Sequence, residues 1–142
     1  MRIIGFNFDK IHIEKLKDSV ENLNLNTGID ILDIKETKTD ILKTKEVMLQ
    51  VKFSYIVKYE PDFADINLKG TILLTLEEKE AKEVLKSWKN KKMPEDFRET
   101  LFNIILRKTA LKSLHLEEEM NLPLHLPLPT IKFPKNEEKD KK

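Results

Sequence analysis

The chain contains no cysteine, which excludes disulfide frameworks, thiol nucleophiles and thiolate metal sites together. Its three glycines, Gly5, Gly28 and Gly70, stand alone, so no glycine-rich loop can cradle a phosphate. The three histidines, His12, His115 and His125, lie far apart and outside any HxxxH or HExxH arrangement. They are read as structural or surface residues, and neither a metal nor another cofactor is expected. Charge of one sign is missing too: 26 Lys+Arg stand against 25 Asp+Glu, a net charge of +1. That balance gives no electrostatic basis for nucleic-acid or membrane partners. No apolar run approaches the ~18 residues of a membrane span, and the opening MRIIGFNFDK does not read as a secretory leader, so cytoplasmic residence is the expectation.

Catalytic settings are equally scarce. Ser19, Ser54, Ser87 and Ser113 lie outside any GxSxG elbow. Asp30 and Asp33 resemble paired carboxylates, but strand alternation sends such residues to solvent without catalytic purpose. His115 with Glu117, Glu118 and Glu119 reads as a solvated charged patch near a helix end. The lysines between Lys79 and Lys92 alternate with Glu80 and Glu83 and follow Glu77 and Glu78, which cancel much of their field. No catalytic residue is assigned and no enzyme activity is expected.

What is present is apolar periodicity. Ile4, Phe6 and Phe8, then Ile11 and Ile13, alternate as a strand bent near Asp9–Lys10. Lys15 to Leu23 fits a short helix or a loop. From Asn24 to Lys35, Ile29, Ile31 and Ile34 change spacing from two to three around Leu32, as a β-bulge requires. Val47, Leu49, Val51, Phe53, Tyr55, Val57 and Tyr59 share one strand face. After the turn Glu60-Pro61-Asp62, Ile66, Leu68, Gly70, Ile72, Leu74 and Leu76 do the same, which predicts an antiparallel hairpin. The period then changes to that of a helix. Ala81, Val84, Leu85 and Trp88 form a short one that ends in a basic run. Pro94 restarts the chain into a long helix reaching about Met120. Phe97, Leu101, Ile104, Ile105, Leu111 and Leu114 form its main stripe, and Phe102, Leu106 and Ala110 widen it beyond what one sheet covers. Phe102 and Ile105 are therefore assigned to contacts between subunits of a homo-oligomer. Pro123, Pro127 and Pro129 interleave with Leu122, Leu124, Leu126 and Leu128 as an extended apolar ribbon lying against the domain. The expected architecture is α+β: a four-stranded antiparallel sheet, a short helix and a long one. Residues 1–133 make a single domain, and 134–142 a disordered charged tail.

The run Leu101-Phe102-Asn103-Ile104-Ile105-Leu106-Arg107, then Leu122-Pro123, then Leu128-Pro129-Thr130-Ile131-Lys132-Phe133, resembles the SecB-like protein-export chaperones. That family starts its long helix with leucine-phenylalanine-proline-tyrosine and follows it with a phenylalanine-proline loop and a leucine-proline-proline segment ending in phenylalanine. The likeness extends from Ile3 to Phe133. Asn103 stands where the family has its proline, and Leu122 replaces the loop phenylalanine. Pro134 and a charged tail replace most of the family's last helix. Binding to the SecA motor is not carried over.

The resemblance implies an ATP-independent holdase that keeps non-native polypeptides export- or folding-competent in apolar grooves. It also implies a homotetramer built as a dimer of dimers. By the positions of the family's grooves, Ile29, Ile31, Ile34, Trp88, Phe97, Leu122, Leu124 and Leu126 are the candidate peptide-binding residues. Two other readings remain open: a chaperone devoted to one partner in a toxin–antitoxin system, and a small-molecule or lipid-binding α+β domain.

Overall fold

The structure, a computed structural model, describes residues 1–38 and 45–134. Most of the connection expected at Thr37–Thr44, and the charged tail beyond Pro134, lie outside the described residues. Four strands, β1 (Arg2–Lys15), β2 (Asn24–Thr37), β3 (Glu46–Glu60) and β4 (Ala64–Glu77), precede two helices, α1 (Glu78–Trp88) and α2 (Glu95–Glu119). The strands form one antiparallel sheet in the order β1-β4-β3-β2, so β1 and β2 are its edges. This is the α+β architecture that the periodicity predicts. The stretch from Leu16 to Leu23 contains no helix.

The β3–β4 hairpin carries the sheet. Its register pairs Val47 with Leu76, Val51 with Ile72, Tyr55 with Leu68 and Tyr59 with Ala64, so every second residue falls on the same face. Register breaks between Phe8 and Lys10 and between Ile31 and Asp33. Asp9 and Leu32 are thus bulged, at the places where the apolar spacing changes. A further break between Ile3 and Gly5 sets Ile3, not Ile4, opposite Leu74. Ile4 therefore drops out of the expected alternation.

Gly70 faces Phe53 across the hairpin. A β-carbon there would come within 2.5 Å of Phe53 Cζ and 2.7 Å of Asn7 O. The ring of Phe53 occupies that space and meets Phe6 at 5.3 Å between centroids. Glycine is required by close approach, since its φ is not positive.

Both helices pack on the hairpin's apolar face. Ala81, Val84 and Trp88 of α1 join Phe97, Leu101 and Ile105 of α2 over Leu49, Val51, Ile72 and Leu74. Further along, Leu116 and Leu122 cover Tyr55, Val57, Ile66 and Leu68. Each helix ends in the same way, with a non-glycine residue in the left-handed region: Lys91 at φ 58° and Asn121 at φ 54°. In both, two amides reach back to the last turn. Lys92 N donates to Ser87 O at 3.1 Å and Lys91 N to Trp88 O at 2.8 Å. Leu122 N donates to Glu117 O at 2.9 Å and Asn121 N to Glu118 O at 3.2 Å. This is the Schellman arrangement, which satisfies carbonyls left open at a helix end. Pro94 sits one residue before α2, in extended backbone.

The buried stripe of α2 differs from expectation over its second half. Leu111 is 62% exposed, and Leu114 is only half-buried. Thr109, Ala110, Ser113, Leu116 and Glu117 take the inner positions. Ile105, assigned to a subunit contact, is a correction: it is fully buried in the core of the single chain and has no surface left for a partner.

Candidate functional site

The main candidate is a groove of about 700 Å³ between edge strand β2 and the turn joining α1 to α2. Ile29, Ile31 and the bulged Leu32 form one wall, and Trp88, Met93 and Phe102 the other. Each enters for a local reason. Strand alternation turns Ile29 and Ile31 inward, and the bulge re-aims Leu32, which is 42% exposed. Trp88 closes α1, and Phe102 lies one position from the buried Leu101 on the flank of α2. Lys91, Lys92, Arg98 and Asp30 make the rim. Lys91 Nζ sits 4.6 Å above the Trp88 ring, and the Arg98 guanidinium 5.3 Å from the Phe102 ring, so both cations lean on the apolar walls. As an edge, β2 has no further strand beside it among the described residues.

Of the residues that the sequence nominates, the structure brings Ile29, Ile31, Trp88 and Phe102 together here. Ile34 and Phe97 lie deeper, at 3% and 7% exposure within the main core; Phe97 also reaches a separate cleft of about 640 Å³ with Val84, Pro94 and Thr100, away from the β2 groove. Leu122 and Leu124 line a second, separate groove of about 580 Å³ with Leu114, Pro123 and Leu128. Leu126, 40% exposed, lines neither. The nominated set is thus divided among three grooves, the core and the open surface.

The leucine–proline strap is fastened by a buried polar cluster that the sequence reading missed. Glu117 is fully buried and is not part of a solvated patch. Its Oε2 lies 2.8 Å from His125 Nδ1, and its Oε1 accepts from the His125 backbone amide at 3.0 Å. The other ring nitrogen, Nε2, lies 3.1 Å from Tyr55 Oη. Tyr59 donates to Pro123 O at 2.5 Å. Burial pushes the Tyr55 phenol up to about 12, and the Glu117 charge adds to the shift. Tyr59 is raised by the same two causes in the same order, with hydrogen bonding to Glu117 contributing. A phenol, an imidazole and a carboxylate in series can relay a proton, but the chain of groups ends in the core and opens on no groove. It acts as a clasp. The available signal was the four-residue step from Ser113 to Glu117, which continues the inner face of α2. Glu118 and Glu119 are exposed, and His115 pairs with Glu119 at 3.2 Å in water, as a charged patch should.

Ligand atoms of His12, Glu14 and Asp65 fall within 4.8 Å of one another on the other sheet face. The His12 contacts to Glu14 (3.7 Å) and Asp65 (3.6 Å) are those of an exposed ion-pair cluster. Among the described residues, no helix is long and apolar enough to cross a membrane.

No family model matches the chain, and no curated protein does. Solved structures do. One is the SecB-like chaperone Rv1957 of Mycobacterium tuberculosis, in complex with a ChAD peptide from the Rv1956 HigA1 antitoxin. The two share 14% identity over 94% of this chain and 92% of that one, with a TM-score of 0.49.

Proposed function

We propose that the protein is a chaperone of the holdase type, which binds non-native polypeptides without ATP and keeps them from aggregating. The observation that supports this most is the β2 groove. Ile29, Ile31, Trp88 and Phe102 offer apolar contact beside a sheet edge that no further strand covers among the described residues. An extended chain can use both at once: side chains enter the groove while its backbone pairs with β2, which gives affinity with little sequence demand. Apolar burial contributes roughly 25 cal/mol per Å². The strap adds Leu124, Leu126 and Leu128, each at least 38% exposed, as a second apolar surface. The reading includes a homo-oligomer, a tetramer in the resemblance noted above, held through the exposed flank of α2.

The test is suppression of aggregation of an unrelated, thermally unfolding protein, compared between the natural chain and Leu32→Asp. Leu32 is exposed on a bulge, so this change should leave folding intact while placing a charge in the groove wall. Protection by the natural chain that is lost in the variant supports the reading. No protection by either sinks it.

A further inference from the structure

The β2 groove has apolar walls and a one-sided rim. Lys91, Lys92 and Arg98 stand around it against a single acid, Asp30. None of the three cations forms an ion pair among the described residues. Lys91 and Arg98 instead lie over Trp88 and Phe102. Glu95 and Glu99 share a shallow neighbouring cleft with Arg98 but do not pair with it. This local excess contrasts with a chain that is close to neutral as a whole.

The backbone at Lys91 sharpens the point. A non-glycine residue in the left-handed region is disfavoured relative to ordinary geometry, and glycine is the usual occupant of this helix-ending position. Lysine stands there instead, with its ammonium held over the groove wall at Trp88. The helix end would be better served by glycine, so capping alone does not account for this residue.

Resting on the holdase reading, we infer that this groove selects extended polypeptide segments in which acidic residues flank apolar anchors. The anchors occupy the Ile29, Ile31, Trp88 and Phe102 walls. The flanking carboxylates meet Lys91, Lys92 and Arg98 and draw acidic segments in ahead of basic ones. Rim charges of this kind act mainly on selectivity and encounter, and salt screens them.

The experiment uses the full chain and two fluorescein-labelled peptides with the same four-residue apolar centre, one flanked on both sides by paired glutamates and the other by paired lysines. Fluorescence anisotropy should give about tenfold tighter binding of the glutamate-flanked peptide at low ionic strength, with the difference shrinking toward 0.5 M salt, where the screening length falls to about 4 Å. The double variant Lys91→Gly, Lys92→Gln should weaken the glutamate-flanked peptide several-fold and tighten the lysine-flanked one. Its thermal stability should not fall, because glycine suits the φ of Lys91. Equal affinities, or tighter binding of the lysine-flanked peptide, overturn the charge selection while leaving the holdase reading in place. Failure of both peptides to bind overturns the two together. Displacement of bound peptide by a stoichiometric oligothymidylate would overturn the assignment to polypeptide and point to nucleic acid.

Discussion

His125 Nδ1 lies 2.8 Å from Glu117 Oε2, and the two side chains keep 1% and 0% of their surface. A carboxylate eight residues before an imidazole thus anchors the strap after α2, through both the ring and the backbone amide of His125. Removing one member of a buried pair leaves the other charged or polar group without compensation, at about 3–5 kcal/mol. Glu117→Leu and His125→Leu should each lose stability of that order in urea denaturation. The double substitution should regain part of it, because the two apolar side chains need no partners while Tyr55 Oη and the backbone amide of residue 125 still lose theirs.

The two phenols against Glu117 make stability fall at high pH. Below pH ~10 a tyrosine is protonated in both the folded and unfolded chain, and the folded state keeps its full advantage. Above that, the unfolded chain releases protons that folded Tyr55, raised to about 12, retains. Melting temperature should therefore decline between pH ~10 and ~12, and Tyr55→Phe should flatten that decline.

Gly70→Ala should destabilise the fold by about 1–3 kcal/mol, as overpacking does. Phe53 Cζ at 2.5 Å can move only by disturbing Phe6 and Phe8, and Asn7 O at 2.7 Å is backbone. Gly5→Ala and Gly28→Ala meet nothing within 4 Å and should be neutral or slightly stabilising. Denaturation midpoints of the three variants separate the two outcomes.

The outer flank of α2 carries Leu106 at 43% and Leu111 at 62% exposure beside the half-buried Phe102. Light scattering should return a mass several times that of one chain. Leu106→Asp with Leu111→Asp should reduce it toward a monomer without loss of helical circular dichroism, because neither side chain is needed in the core. A natural chain that runs as a clean monomer at micromolar concentration would refute this.

The exposed leucines of the strap are tested separately from the β2 groove. Leu124→Ser with Leu126→Ser should lower affinity for an unfolded client while thermal stability changes little, since both leucines are 38–40% exposed. Unfolding of this variant would make the strap a structural support and not a contact surface.

The sequence alone determined whatever is set by local periodicity. The β3–β4 hairpin, the bulges at Asp9 and Leu32 and the change from strand to helix after Glu77 all follow from apolar spacing. A strand's alternation stays in phase along the whole sheet, so Val47 through Tyr59 could be assigned to one face without knowing what covers it. A long helix does not behave in this way. Each step of four residues turns the inner face by about 40°, so the line from Phe97 through Leu101 and Ile105 arrives at Thr109, Ser113 and Glu117. Leu111, which fits an apolar pattern, is carried outward. Only the tertiary structure decided that a glutamate could end this seam in the core, because its partner is supplied by a histidine returning from the strap. The groove was settled at the same level: Ile29 and Phe102 are far apart in sequence and meet because an edge strand lies beside a helix turn.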